Sequence, residues 1–125
     1  MKNLKSFEAA AKYLGIDPNN LPDVSMLPEQ SQKSVISFYK LSIVSQAAWK
    51  QEGKVIDWND WDQYKYYPWF KMSDSVGSSA GFSYYDCFYG GTGSIVGSRL
   101  VFPTWKIAEY VGKTLIDLYR DFMVI

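Results

Sequence analysis

The clearest pattern of hydrophobic and polar positions lies at the C-terminal end of the chain. From position 104 onward, apolar residues recur at alternating steps of three and four, the spacing that places side chains on one face of an α-helix. Thr104 follows Pro103 and is suited to cap the first turn. The pattern therefore predicts one long helix from Thr104 to the C-terminus. Its apolar stripe consists of Ala108, Val111, Leu115, Leu118, Phe122 and Ile125.

Two more helices are predicted in the first half of the chain. A short one covers positions 7–14, with Ser6 as its N-terminal cap and Gly15 placed to end it. A longer one runs from Glu29 to about Glu52. Because the apolar positions of the longer helix cover a broad arc, we expect it to be buried on more than one side.

The middle of the chain has the composition of β-structure. Aromatic-rich strands are predicted at positions 64–72 and 82–89, separated by a loop of flexible composition at 73–81. A third strand is predicted at 98–102. Pro68 falls inside the first strand, which therefore has to be an edge strand or to be interrupted there.

These elements predict a single α+β domain over residues 1–125. Two N-terminal helices are followed by a three-stranded antiparallel sheet, since the short connections favour a meander. The long C-terminal helix is expected to pack across that sheet rather than to form an extended coiled coil.

The glycine-rich segment 90–97 is similar to a phosphate-binding loop in composition only. A Walker A loop requires a Lys and then a Ser or Thr after its last glycine, whereas Ser98 and Arg99 follow here. The dinucleotide-binding spacing also fails, because three residues separate Gly93 from Gly97. We interpret the segment as a hairpin loop.

The absence of histidine narrows the possible chemistry. It excludes histidine-based acid–base catalysis, nucleophiles activated by histidine, and most common zinc and iron sites. The lone Cys87 has no basic sequence neighbour to lower its pKa, so we expect a buried, unreactive thiol. We therefore predict no enzyme, no catalytic residue, no cofactor and no metal site.

Charge and segment composition bear on partners and location. The 13 basic and 13 acidic residues give a net charge of zero, and residues 57–90 hold five acidic side chains against Lys65 and Lys71. This local net charge of −3 would repel phosphates, so a nucleic-acid partner is not expected. Neither a signal peptide nor a membrane span is predicted. The expected location is a reducing, cytosolic compartment.

The segment 57–62 concentrates oxygen-bearing side chains. It matches a calcium-binding loop poorly, because Trp61 and Asp62 stand at its fifth and sixth positions, where such a loop has a ligand and a glycine. We interpret the segment as a solvated turn with Asx caps, anchored by Trp58 and Trp61.

Residues 58–89 hold twelve of the 22 aromatic residues of the chain. Adjacent rings such as Tyr66 and Tyr67 would lie on opposite faces of a strand, so some of them must point away from the helices. We predict a surface that binds a protein partner or a second copy of the chain. Its candidate residues are Trp58, Trp61, Tyr64, Tyr66, Tyr67, Trp69, Tyr84 and Tyr85.

Two alternative functions use the same region. The rings, together with Asp57, Asn59, Asp60 and Asp62, would also suit a carbohydrate. A hydrolase that uses two carboxylates without histidine is a weaker alternative, because it needs a sugar-sized cleft between them. Its candidate acids are Asp57, Asp60, Asp62, Asp74 and Asp86.

Several segments resemble a known group of proteins. They are Phe-Glu-Ala-Ala at 7–10, Leu-Gly-Ile-Asp-Pro at 14–18, Gln-Tyr-Lys-Tyr-Tyr-Pro-Trp-Phe at 63–70, Gly-Ser-Arg-Leu at 97–100, Ala-Glu-Tyr at 108–110 and Asp-Leu-Tyr-Arg-Asp at 117–121. Together they are similar to small uncharacterised proteins of gut Bacteroidetes and of their phages or mobile elements. The resemblance covers nearly the whole chain and is most specific at 63–70. It implies a small accessory protein in the cytoplasm of a bacterium, or in the host cytoplasm or virion if a phage encodes the chain. It transfers no activity or site residue.

Overall fold

The computed structural model describes residues 1–72, 81–98 and 100–124, and it confirms an α+β protein. Within these ranges, a short 3-10 helix at Lys2–Leu4 precedes five α-helices and two strands. The helices are α1 (Phe7–Leu14), α2 (Glu29–Gln51), α3 (Ser94–Gly97), α4 (Trp105–Thr114) and α5 (Ile116–Met123), and the strands are β1 (Lys65–Lys71) and β2 (Ser83–Gly90). The predicted loop at 73–81 lies, except for Gly81, outside the described residues.

The two N-terminal helices form where the sequence predicts them. The Ser6 hydroxyl accepts a hydrogen bond from the Ala9 N–H at 3.0 Å, and Gly15 ends α1 with a φ of 75°. Glycine adopts this left-handed conformation without the steric cost that a side chain brings. Helix α2 buries residues on several sides along its second half, as its broad apolar arc predicts.

The helices surround the core from two directions. Helix α2 packs against α1 and α5, while α4 lies across the sheet. The fully buried apolar side chains include Leu4, Leu41, Val44, Phe102, Ala108 and Val111. Within the described chain, no helix combines the length and the apolar character that crossing a bilayer requires.

The sheet is one antiparallel hairpin with an irregularity. Tyr66 lies opposite Tyr89 and Pro68 lies opposite Cys87, but the register shifts after Trp69 and skips Tyr85. Such a bulge reverses which face of the strand the following residues occupy.

The prediction of a third strand is wrong. Among the described residues of 98–102, only Phe102 pairs with β1, through reciprocal hydrogen bonds of 2.9 and 2.7 Å with Tyr66. The next such pair along the ladder would join Leu100 to Pro68, which has no N–H to donate. The described sheet therefore has two strands and a single additional bridge.

Helix α2 holds the segment that the third strand was predicted to occupy. The Val101 carbonyl accepts hydrogen bonds from the Ser45 hydroxyl at 2.6 Å and from the Trp49 indole N–H at 2.9 Å. The hairpin-loop interpretation of 90–97 is also incomplete, because the chain forms α3 there.

The prediction of a single C-terminal helix is likewise wrong. The Thr104 cap is confirmed, since its hydroxyl accepts from the Ile107 N–H at 3.1 Å. Leu115 leaves the helical conformation, with φ −108° and ψ 31°, and separates α4 from α5. This change of direction lets α4 lie on the sheet while α5 packs against α2. Ile125, the last residue of the predicted stripe, lies outside the described residues.

Candidate functional site

The alternation along β1 sorts its side chains onto two faces. Tyr66 and Phe70 point to the helices and join the main core. Tyr67 and Trp69 point to the opposite face, which we call the outer face. There Tyr67 packs against a second, smaller core, which consists of Trp49, Val96 and Val101. The prediction that adjacent rings occupy opposite faces is therefore confirmed for this strand.

Four rings meet on the outer face. We call Tyr67, Trp69, Tyr85 and Phe88 the outer cluster. Trp69 lies 4.7 Å from Tyr85 and 5.8 Å from Phe88, and Tyr67 lies 6.4 Å from Phe88, measured between ring centroids. Trp69, Tyr85 and Phe88 remain 38%, 52% and 41% exposed. The cluster is thus a continuous aromatic surface rather than a set of isolated rings.

The bulge in β2 builds this cluster. In a regular strand Tyr84 would share a face with Phe88, and Tyr85 would share a face with Cys87. The bulge instead places Tyr84 on the core side, where its hydroxyl contacts the Cys87 thiol at 3.2 Å. Tyr85 joins the outer face, and the Lys71 ammonium lies 5.1 Å from the centre of its ring.

Lys65 lies at the other end of the outer face, at the start of β1. Its side chain is fully buried, and its ammonium group donates hydrogen bonds to the carbonyls of Asp57 at 2.8 Å and Asp60 at 3.2 Å. The Trp58 ring lies over the same ammonium group at 5.1 Å. These contacts fold the turn at 57–63 against the strand, because the buried cation needs hydrogen-bond acceptors.

A second group of exposed rings lies at this turn. Trp58, Trp61, Tyr64 and Tyr89, the turn cluster, are each between 44% and 67% exposed. Tyr64 and Tyr89 lie 4.7 Å apart. The predicted Asx caps are confirmed, because a carboxylate oxygen of Asp57 accepts from the Asn59 N–H and one of Asp60 accepts from the Asp62 N–H, both at 2.9 Å.

The eight predicted site residues therefore lie in different places. Five are exposed, in one of the two clusters: Trp58, Trp61, Tyr64, Trp69 and Tyr85. Tyr67 is half-buried in the outer cluster, whereas Tyr66 and Tyr84 face the core. Sequence reasoning left out Phe88 and Tyr89, although their position in the same aromatic run was visible.

A groove runs beside the edge of β1 that faces away from β2. We call it the edge groove, and its volume is about 430 Å³. Its walls include Tyr67, Trp69, Leu100, Tyr119, Phe122 and Met123. The groove occupies the side of β1 on which the predicted third strand would have continued past Tyr66.

Two polar groups lie in the adjacent core, the buried Tyr119 hydroxyl and the half-buried Cys87 thiol. The Tyr119 hydroxyl is buried without a hydrogen-bond partner among the described residues, and burial raises its pKa above the usual value of 10.0. Burial also raises the pKa of the half-buried Cys87 thiol, and this effect outweighs the hydrogen bond from Tyr84. The raised pKa makes this thiol harder to ionise than a free one, but the thiol is half-buried, whereas the sequence predicts a buried one.

The described side chains offer little for metal binding at these surfaces. Among them, no group of three or more histidine, cysteine or acidic residues lies close enough to hold an ion. Asp57, Asp60, Asp62 and Asp86 do not line the edge groove, and Asp74 lies outside the described residues.

The geometry thus presents an exposed aromatic face that continues into an apolar groove. Comparisons of the chain with protein families, curated proteins and solved structures found no match. The resemblance to proteins of Bacteroidetes and their phages stays a prediction.

Proposed function

We propose that this protein is a non-enzymatic interaction module that binds a protein partner through the outer cluster. The observation that supports the proposal is the continuous contact of Tyr67, Trp69, Tyr85 and Phe88 on the sheet face opposite the main core. Tyrosine, tryptophan and phenylalanine are enriched at protein interfaces because their large rings bury much area at little cost in conformational freedom.

The environment of the cluster agrees with such a role. The local net charge of −3 opposes phosphate ligands but does not oppose a neutral or basic peptide. The cross-strand ring contacts hold the side chains before binding, so a partner loses less conformational entropy when it docks. An accessory role in a phage or mobile element, as the sequence resemblance implies, is compatible with this activity.

The test is selection from a displayed library of random peptides on the immobilised protein. A double variant, Trp69→Ala with Tyr85→Ala, serves for counter-selection. The matched control is Trp105→Ala, because Trp105 is 47% exposed on α4 and belongs to neither cluster. We expect peptides that bind the native protein and the control but not the double variant. A library that yields no binder, or binders that the double variant retains at full affinity, would contradict the proposal.

Carbohydrate binding by the turn cluster is the second candidate. Trp58 and Trp61 are 44% and 67% exposed beside a turn rich in carboxylate and amide groups, as a sugar-stacking platform requires. Tryptophan fluorescence should then change on addition of sugars in the native protein and in Trp105→Ala, but not in Trp61→Ala. A glycan array without hits would count against it.

A further inference from the structure

The outward edge of β1 carries backbone groups that are not engaged by the sheet. Tyr66 directs both its N–H and its carbonyl to Phe102 on this side, so alternate residues direct theirs the same way. Pro68 therefore presents a carbonyl, Phe70 an N–H and a carbonyl, and Met72 an N–H. Within the described residues, none of these groups has a backbone hydrogen bond on that side.

The edge groove lies along these free groups. Tyr67 and Trp69 border it from the outer face, while Phe122 and Met123 border it from α5 on the core side. A strand added to this edge would direct successive side chains alternately to these two apolar walls. Its backbone would meet the free groups of Phe70 and Met72 at a repeat of about 7 Å.

The exposed area distinguishes between possible occupants. Of the exposed rings of the outer cluster only Trp69 lines the groove. Even with Tyr85 and Phe88 on β2 included, the three rings are 38%, 52% and 41% exposed and offer roughly 200–330 Å², since a ring residue carries about 150–250 Å². A stable dimer buries about 800 Å² on each partner. The surface therefore suits a short segment better than a second copy, and the row of backbone donors and acceptors suits a peptide better than a sugar.

Charge specifies the segment further. Asp86 is exposed on β2 opposite Trp69, one strand beyond the edge groove, and has no ion-pair partner in the part of the chain that the structure describes. Together with the local charge of −3, it favours a segment that carries a basic residue.

We propose that the edge groove binds an extended peptide segment of a partner protein as an added β-strand on β1. The segment has apolar residues at alternate positions and one basic residue whose long side chain extends over Trp69 toward Asp86 on β2. This inference rests on the proposed function, because the added strand contacts the outer cluster through Trp69.

The test uses a peptide selected on the native protein and a series of its single N-methyl derivatives. Each N-methyl group removes one backbone donor and blocks the approach of one strand edge. Along the peptide, the N–H groups of every second residue would face β1. We expect a single N-methyl group at one of these residues to weaken binding at least tenfold, and one at a residue between them to change binding less than threefold. The Phe70 amide proton should also exchange more slowly with solvent in the complex.

Two variants of α5 provide a matched pair. Met123→Lys places a charge in the groove wall, whereas Val124→Lys places one at the adjacent residue, which does not line the groove. We expect at least a tenfold loss of affinity for Met123→Lys and less than a threefold loss for Val124→Lys.

The outcomes separate this inference from the proposed function. Binding that needs Trp69 but is indifferent to N-methylation and to Met123→Lys overturns strand addition and leaves ring docking intact. A different outcome is a dimer in light scattering that the peptide does not dissociate. If, in addition, no peptide binds at the edge of β1, a second copy of the chain is the occupant and the peptide proposal is overturned. If no peptide binds at all, both proposals fail.

Discussion

Replacement of Gly112 by alanine tests the packing of α4 on the sheet. A methyl group at this position would lie 2.6 Å from the Pro68 Cβ and 3.2 Å from the Tyr84 Cδ2, whereas ordinary contacts lie at 3.4–4 Å. The Pro68 atom belongs to a rigid ring in the middle of β1, so it has little freedom to move aside. Helix α4 would therefore have to shift away from the sheet by about 1 Å to restore normal contact distances.

The size of the effect follows from two opposing contributions. Overpacking of a core costs about 1–3 kcal/mol, while alanine in place of glycine inside a helix gains about 1 kcal/mol. Because the 2.6 Å approach involves the rigid Pro68 ring, the upper part of the overpacking range applies, about 2–3 kcal/mol, and we expect Gly112→Ala to lower the free energy of unfolding by about 1–2 kcal/mol. For a chain of this length, that corresponds to a Tm lower by roughly 3–10 °C.

The assay is urea and thermal unfolding followed by circular dichroism, with Gly97→Ala as the matched control. Gly97 is also helical, but among the described residues no atom outside its chain neighbours and its own helix backbone lies within 4 Å of the position that its Cβ would take. The control should therefore be unchanged or up to about 1 kcal/mol more stable. A Gly112→Ala variant as stable as the native protein would refute the close packing of α4 on Pro68.

Three further predictions concern buried polar groups. Tyr119→Phe should raise the free energy of unfolding by about 1 kcal/mol in urea denaturation, because it removes a buried hydroxyl that has no partner in the described chain. A loss of stability would mean that the hydroxyl has a hydrogen-bond partner. Lys65→Met should destabilise the protein by about 1–3 kcal/mol and speed amide exchange at 57–63, since the turn carbonyls lose their charged donor. Unchanged exchange would contradict the role of Lys65 in holding the turn. Between pH 7 and about pH 9 stability should be constant, and above that it should fall, because Tyr84, Tyr119 and Cys87 all have a raised pKa and the unfolded chain loses these protons first. Urea midpoints between pH 7 and 11 check this, and Tyr119→Phe should show a shallower decline.

The helix caps and the strand positions could be predicted because their causes are local. Ser6 and Thr104 each accept an N–H three residues later, a contact that depends only on neighbouring sequence. The alternation of rings along β1 follows from the two-residue period of a strand in the same way.

The missing third strand depends on a contact across the sheet. Pro68 interferes only because Tyr66 directs its hydrogen bonds toward Phe102, which fixes the side that residue 68 faces. The sequence places a proline in the strand but does not show on which side its missing N–H would fall. In the fold, that side is the edge at which the third strand would have to continue.

The composition of the candidate site also depends on tertiary structure. The bulge that exchanges the faces of Tyr84 and Tyr85 is accompanied by one local contact. The Asp86 carboxylate accepts a hydrogen bond from the Cys87 N–H at 2.8 Å. Such side-chain to backbone bonds compete with a strand ladder, but they occur at many turns and caps as well. The division of the C-terminal helix at Leu115 likewise follows from its packing on two different partners, the sheet and α2.

The most direct test of the account compares two tryptophan variants in titration calorimetry with a peptide selected on the native protein. Trp69 contacts both Tyr85 and Phe88 in the outer cluster, whereas Trp105 is similarly exposed outside it. An interface ring of this kind contributes about 2 kcal/mol or more, so Trp69→Ala should bind at least thirtyfold more weakly than the native protein. Trp105→Ala should bind within twofold of it. Equal affinity of Trp69→Ala and the native protein would contradict the claim that the outer cluster is the binding surface.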